Sequence, residues 1–134
     1  MSTEKNKQIV LRFNKEVLEK GSTSIIITEI VANDFVNHTA MSNIPKDASG
    51  LIQFVQMLHK AFSEMKIDIH EQIAENDLVA TRKTIHAKHT GEIMGHAASG
   101  KLVEFNVIDI IRLRDGKYTD HWGRNDIMQV IQSL

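Results

Sequence analysis

The chain has no cysteine, which excludes thiolate nucleophiles, disulfides and thiolate-built zinc or iron-sulfur sites together; any chemistry must come from carboxylates, imidazoles and hydroxyls. Seven histidines are present. His86 and His89 are three apart in a stretch that alternates as a strand, so their side chains diverge. No other His, Asp or Glu stands two residues from either to complete a ligand set, and no metal is expected. The same alternation puts Arg82, Thr84 and His86 on one face and Lys83, Ile85, Ala87 and His89 on the other. Arg82 suits a substrate oxyanion or, more simply, an ion pair with Asp109 or Glu104 on a neighbouring strand. Nearer the C-terminus, His121 can polarise a carbonyl or hold Asp126, because imidazole donates from one nitrogen and accepts at the other. It can equally be a hydrogen-bonded structural histidine. Trp122 follows it and points to the opposite face, as a pocket wall or a core filler. Gly91 and Gly95 lack the Lys-Ser/Thr of a phosphate loop, and no serine stands in a nucleophile elbow.

The elements that must position these groups follow from periodicity. Ile9, Val10, Phe13, Val17 and Leu18 recur at helical spacing between Glu4 and Lys20, with Gly21 as a stop. Ser22 to Val31 reads as a short helix. After the loop around Pro45, Asp47 or Ser49 caps a third helix with the stripe Leu51, Val55, Leu58 and Phe62. Beyond Met65 the period becomes two, with a turn at Glu75-Asn76-Asp77, a strand running to Thr90, a glycine-punctuated loop and a long strand from Leu102 to Arg114. Asp115-Gly116 turns the chain into a hairpin with Lys117 to Arg124, and Asp126 is placed to cap a last short helix, Ile127 to Gln132. Counted outward without a bulge, that hairpin sets Leu113 opposite Tyr118, Ile111 opposite Asp120 and Asp109 opposite Trp122 on one face. The other face then carries Ile110 opposite His121 and Ile108 opposite Gly123. One face is expected to pack on helices and the other to enclose a pocket. Helices followed by strands indicate an α+β fold.

The whole chain, residues 1–134, reads as one domain: 134 residues with 42% hydrophobic and 25% charged positions can bury a single core. Sixteen basic against seventeen acidic residues leave a formal charge of -1, no surplus for a phosphate backbone, so nucleic acid is not expected as a partner. The polar start and the short, interrupted apolar runs predict neither a signal segment nor a membrane span, and a cytoplasmic protein is expected.

Several segments resemble the SnoaL-like polyketide cyclases, also called predicted ester cyclases, of the nuclear transport factor 2-like superfamily. Arg82-Lys83-Thr84 and His89-Thr90-Gly91-Glu92, with Gly95 and Ser99-Gly100-Lys101 after them, are similar to one run of the family pattern. Ile111-Arg112, Asp115-Gly116-Lys117, Asp120-His121-Trp122 and Asp126 are similar to its terminal hairpin. Asp34 to His38 and Ala61-Phe62 resemble shorter family motifs. Ala87-Lys88, Ala98-Ser99 and Ser63-Glu64 depart from it.

The resemblance implies a curved, mostly antiparallel sheet around a cone-shaped cavity, helices closing the other side, a homodimer, and intramolecular aldol ring closure of a small carbonyl-rich substrate with no metal and no cofactor. By the family pattern Asp126 is the general acid and base, a carboxylate whose pKa an apolar pocket would raise; as a plain residue it is a helix cap. His121 would assist it, and Trp122, His38, Arg82, His86 and Asp109 would line the substrate. The rival readings are a module that binds a small hydrophobic molecule without catalysis and a structural dimer of the same fold.

Overall fold

The computed structural model describes residues 2–134. Helix α1, Thr3–Arg12, begins where Ser2 accepts a hydrogen bond from the Lys5 amide at 3.1 Å, an ordinary N-cap that satisfies one free amide of the first turn. It continues without a break into π-helical turns over Phe13–Glu19. Gly21, at φ +78°, ends the run, a left-handed conformation that glycine adopts without a side-chain clash. A short π-helical segment, Ile26–Ile30, fulfils the expected second helix. Strand β1, Val31–Asn37, then follows directly. Helix α2, Ala48–Ala61, is capped by Asp47, whose carboxylate accepts from the Ser49 and Gly50 amides. It buries Val55, Leu58 and Ala61. Phe62 does not close the helical stripe as expected; it opens strand β2, Phe62–Glu75. Strands β3 (Leu78–His89), β4 (Leu102–Arg114) and β5 (Lys117–Asn125) and helix α3 (Ile127–Gln132) complete the chain. Among the described residues no helix is long and apolar enough to cross a membrane.

The strands pair in the order β1-β5-β4-β3-β2. The β2 to β5 pairs are antiparallel, whereas β1 lies parallel to β5 through Val31, Val36 and Asn37. Strand β4 alternates cleanly: Phe105, Val107, Asp109, Ile111 and Leu113 are buried, while Leu102, Glu104, Asn106, Ile108 and Ile110 are exposed. The inner row packs against the helices in two clusters, one centred on Val10, Phe13, Val17 and Tyr118, the other on Leu58, Phe62, Phe105 and Ile131. The division of labour expected between the two faces is therefore corrected. The inner face both packs on the helices and lines the cavity, and the outer face is the exposed one.

The terminal hairpin turns at Asp115-Gly116, both at positive φ, the turn whose twist matches antiparallel strands. Leu113 pairs with Tyr118 as the sequence predicts, but the register then shifts: Arg112 faces Asp120, Ile111 faces His121, Ile110 faces Trp122 and Asp109 faces Gly123. Thr119 is the extra residue, buried, with its hydroxyl bonded to the Arg112 carbonyl at 3.3 Å. A bulge of this kind moves every later side chain to the other face. The bulge-free pairing is thereby corrected; His121 joins Asp109 inside, and Trp122 goes out.

Candidate active site

Between the inner sheet face and the helices lies a cavity of about 120 Å³. Most of its wall is apolar, with Leu18, Phe35, Leu51, Phe54, Val107 and Ile127 among the contributors. The polar groups gather on the sheet side, where Lys83, Asp109, His121 and Tyr118 meet Asn14 of the first helix and Asn37 of β1.

Asp109 is 7% exposed and Lys83 is 3% exposed. Alternation on β4 and β3 forces both inward, and burial of either charge alone would be costly, so each stands as the other's partner. Lys83 Nζ lies 3.3 Å from Asp109 Oδ2 and donates to Asn14 Oδ1 at 2.6 Å. Asn14 is held by its own Nδ2, which donates to the Val10 carbonyl at 2.9 Å. The π-helical turns thus supply a fixed acceptor for the lysine, a use of such turns that recurs at functional sites. Burial pushes the Asp109 carboxyl up, but Lys83 and His121 together outweigh it, and the group titrates below the usual carboxylate range. Its Oδ1 is buried with no hydrogen-bond partner among the described residues.

His121 Nε2 stands 3.5 Å from Asp109 Oδ2. Its Nδ1 is 2.8 Å from Asn37 Oδ1, and that oxygen also accepts from the Thr39 amide at 3.2 Å. The amide fixes Asn37 Oδ1 as an acceptor, so Nδ1 carries the hydrogen. Nε2 then has the lone pair in the neutral ring and donates to Asp109 in the imidazolium. Gly123 makes room for this pair: a Cβ there would stand 3.0 Å from His121 Cε1 and 3.5 Å from Asp109 Cβ. The Tyr118 ring packs on Phe13 with centroids 5.2 Å apart. Its hydroxyl is buried without a partner among the described residues, and burial first, the Asp109 charge second, push it well above the usual phenol range.

Of the residues singled out in the sequence, His121 and Asp109 line the cavity; Asp126, Trp122, His38, Arg82 and His86 do not. The Asp126 carboxylate accepts from the backbone amide of Asn106 at 2.7 Å and from its Nδ2 at 3.1 Å. It makes no cap bond to α3; the amide of Ile127 is held instead by Asn125 Oδ1 at 3.1 Å. Trp122 lies on the outer side, stacked on His38 at 4.7 Å with the Arg112 guanidinium 5.4 Å from its ring centre. His38 Nε2 also meets Asp120 Oδ2 at 2.8 Å. Arg82 forms a two-pronged pair with Glu71, at 2.5 and 3.0 Å, rather than with Asp109 or Glu104. His86 stands between Asp68 at 2.9 Å and Glu104 at 3.5 Å on the exposed face. Lys83, Asn14, Asn37 and Tyr118 were not singled out as site residues. The signal for Lys83 lay in the alternation, which put a lysine in the same row as Ile85 and Ala87. Among the described residues no three His, Asp or Glu side chains are gathered to hold a metal ion.

A model of the SnoaL-like polyketide cyclase family matches residues 8–134. No curated protein matches the chain by sequence. Among solved structures it is similar to TsrD from Streptomyces laurentii, at TM-score 0.84 and 17% identity over 100% of this chain and 99% of that one. It is also similar to IdmH from Streptomyces antibioticus, at TM-score 0.80 and 24% identity over 96% and 97%. A SnoaL-like polyketide cyclase from Agrobacterium tumefaciens superposes at TM-score 0.75 with 14% identity over 99% and 98%. At these identities the likeness is one of fold.

Proposed function

Because the chain belongs to the SnoaL-like polyketide cyclase family, we propose that it performs acid-base chemistry on a small, carbonyl-rich, mostly apolar compound, by intramolecular aldol ring closure or a related isomerisation. Asp109 removes and returns the proton, and His121 is its partner. The supporting observation is the Asp109 Oδ1 atom, buried without a partner at the polar wall of an apolar cavity. The role passes from Asp126 to Asp109 because both Asp126 oxygens are engaged by Asn106. An ionised carboxylate held below its usual range is a weak base, so it suits a carbon already acidified by two flanking carbonyls. His121 Nε2 can then relay the proton to the oxygen that ends as a hydroxyl. The test is solvent-deuterium incorporation into a panel of activated carbonyl esters, followed by NMR. The wild-type protein is expected to accelerate exchange for some members, and Asp109→Asn to lose about 10²- to 10⁴-fold of that rate. Binding without accelerated exchange would instead leave a ligand-binding module.

A second copy of the chain is the proposed occupant of the outer sheet face. Ile108 and Ile110 are exposed there, among side chains of both signs such as Arg82, Glu71 and Glu104. A two-fold rotation would set this mixed apolar and charged patch against its own copy. Sedimentation at micromolar concentration is expected to give a dimer, and Ile108→Asp a monomer; a wild-type monomer would overturn the pairing.

A further inference from the structure

Lys83 has more capacity than its present partners use. An ammonium carries three hydrogens, and its contacts are Asn14 Oδ1 at 2.6 Å and Asp109 Oδ2 at 3.3 Å. Both Lys83 and the Asp109 carboxylate line the cavity, and the buried charge there is balanced, one positive group against one negative. When a substrate C–H bond breaks, the proton goes to Asp109 Oδ1 and the C–H electron pair becomes the enolate double bond. The carbonyl π pair moves onto oxygen, which takes the negative charge. Asp109 is then neutral, and Lys83 has lost its counter-ion at the moment a new anion forms beside it.

We propose that Lys83 is a further catalytic residue: its ammonium passes from the Asp109 carboxylate to the substrate oxyanion, so that buried charge stays balanced through the proton transfer. The assignment rests on Asp109 as the base. It also defines the substrate class. A neutral ester or ketone keeps the cavity balanced, whereas a free carboxylic acid, ionised at neutral pH, adds a second negative charge that Lys83 alone must answer. The cavity therefore takes neutral enolisable carbonyl compounds in preference to the corresponding acids.

The test uses 4-nitrophenol, whose phenolate resembles an enolate and has its own absorption band, and the Asp109→Asn variant, in which residue 109 is neutral as it is after proton transfer. At a pH where the free phenol is mostly neutral, Asp109→Asn is expected to bind it as the phenolate and to favour that form at least about tenfold over solution. The charge-balanced pair Asp109→Asn with Lys83→Met is expected to lose this preference. If Asp109→Asn is unfolded by itself, saturating 4-nitrophenol is expected to restore its circular dichroism and 4-nitroanisole, of similar shape without the ionisable oxygen, is not. Equal phenolate preference in the single and double variants, or no phenolate binding and no restoration in the single variant, would overturn the role of Lys83 while leaving Asp109 as the base. An Asp109→Asn protein that exchanged deuterium at the wild-type rate would remove the base, and the Lys83 assignment with it.

Discussion

Replacing Lys83 by Met leaves the Asp109 carboxylate, 7% exposed, with the His121 ring, Nε2 at 3.5 Å, as its remaining polar contact. Removing one member of a buried pair costs about 3–5 kcal/mol, since the survivor is a desolvated charge. Against a typical total of about 5–15 kcal/mol, that is a large share of the stability of the fold. Converting Asp109 to Asn in the same chain removes the stranded charge, so the double variant is expected to recover at least about 2 kcal/mol over Lys83→Met, a coupling expected only of groups in contact. Urea unfolding at neutral pH measures this through the midpoint, provided the slope is unchanged. Acid supplies a second check. Asp109 titrates below its usual range in the fold, so its stabilising contribution is complete above the unfolded value of about 3.9 and is lost as the pH falls through the lower folded one. In Lys83→Met the largest opposition to burial is gone, and protonation relieves the stranded charge. The deficit of the variant is therefore expected to shrink as the pH falls towards about 4. Additive single effects, within about 0.5 kcal/mol, or a deficit that widens in acid, would refute the reasoning.

Gly123→Ala would bring a methyl to 3.0 Å from His121 Cε1 and 3.3 Å from Nε2; about a tenfold loss in rate with an unchanged urea midpoint is expected from displacing the ring by a few tenths of an ångström. Tyr118→Phe removes a buried hydroxyl that has no partner among the described residues, and is expected to raise the stability of the free protein by about 1 kcal/mol in urea while weakening ligands that accept a hydrogen bond. Asp126→Asn gives up one of two bonds to Asn106; a loss of about 1 kcal/mol in thermal or urea unfolding is expected, with no change in deuterium exchange.

The strands and long helices were legible because their burial is periodic: the inner row of β4 and the stripe of α2 can be read directly from residue types. Strand β1 was not, since it is a parallel edge paired at few positions and leaves no period-two pattern. The switch from helical to extended backbone at Phe62 was equally silent, because a buried aromatic suits either element. The site hinged on a single residue. Thr119 carries no mark of a bulge in its type, yet the bulge decides whether His121 or Trp122 faces Asp109. The family pattern drew attention to Asp126, but a terminal acid that grips a neighbouring strand and one that faces a ligand have the same sequence. Asp109 and Lys83 were visible as charges on inward-facing rows; that Lys83 meets Asn14 depends on the helix packing, which the sequence does not print.

The most direct measurement compares solvent-deuterium incorporation into an activated β-keto ester by the wild-type protein, Asp109→Asn and Asp126→Asn under one set of conditions. With Asp109 as the base, wild type and Asp126→Asn exchange at similar rates and Asp109→Asn is slower by about 10²- to 10⁴-fold. Full activity in Asp109→Asn together with its loss in a folded Asp126→Asn would contradict the account and return the chemistry to the end of β5.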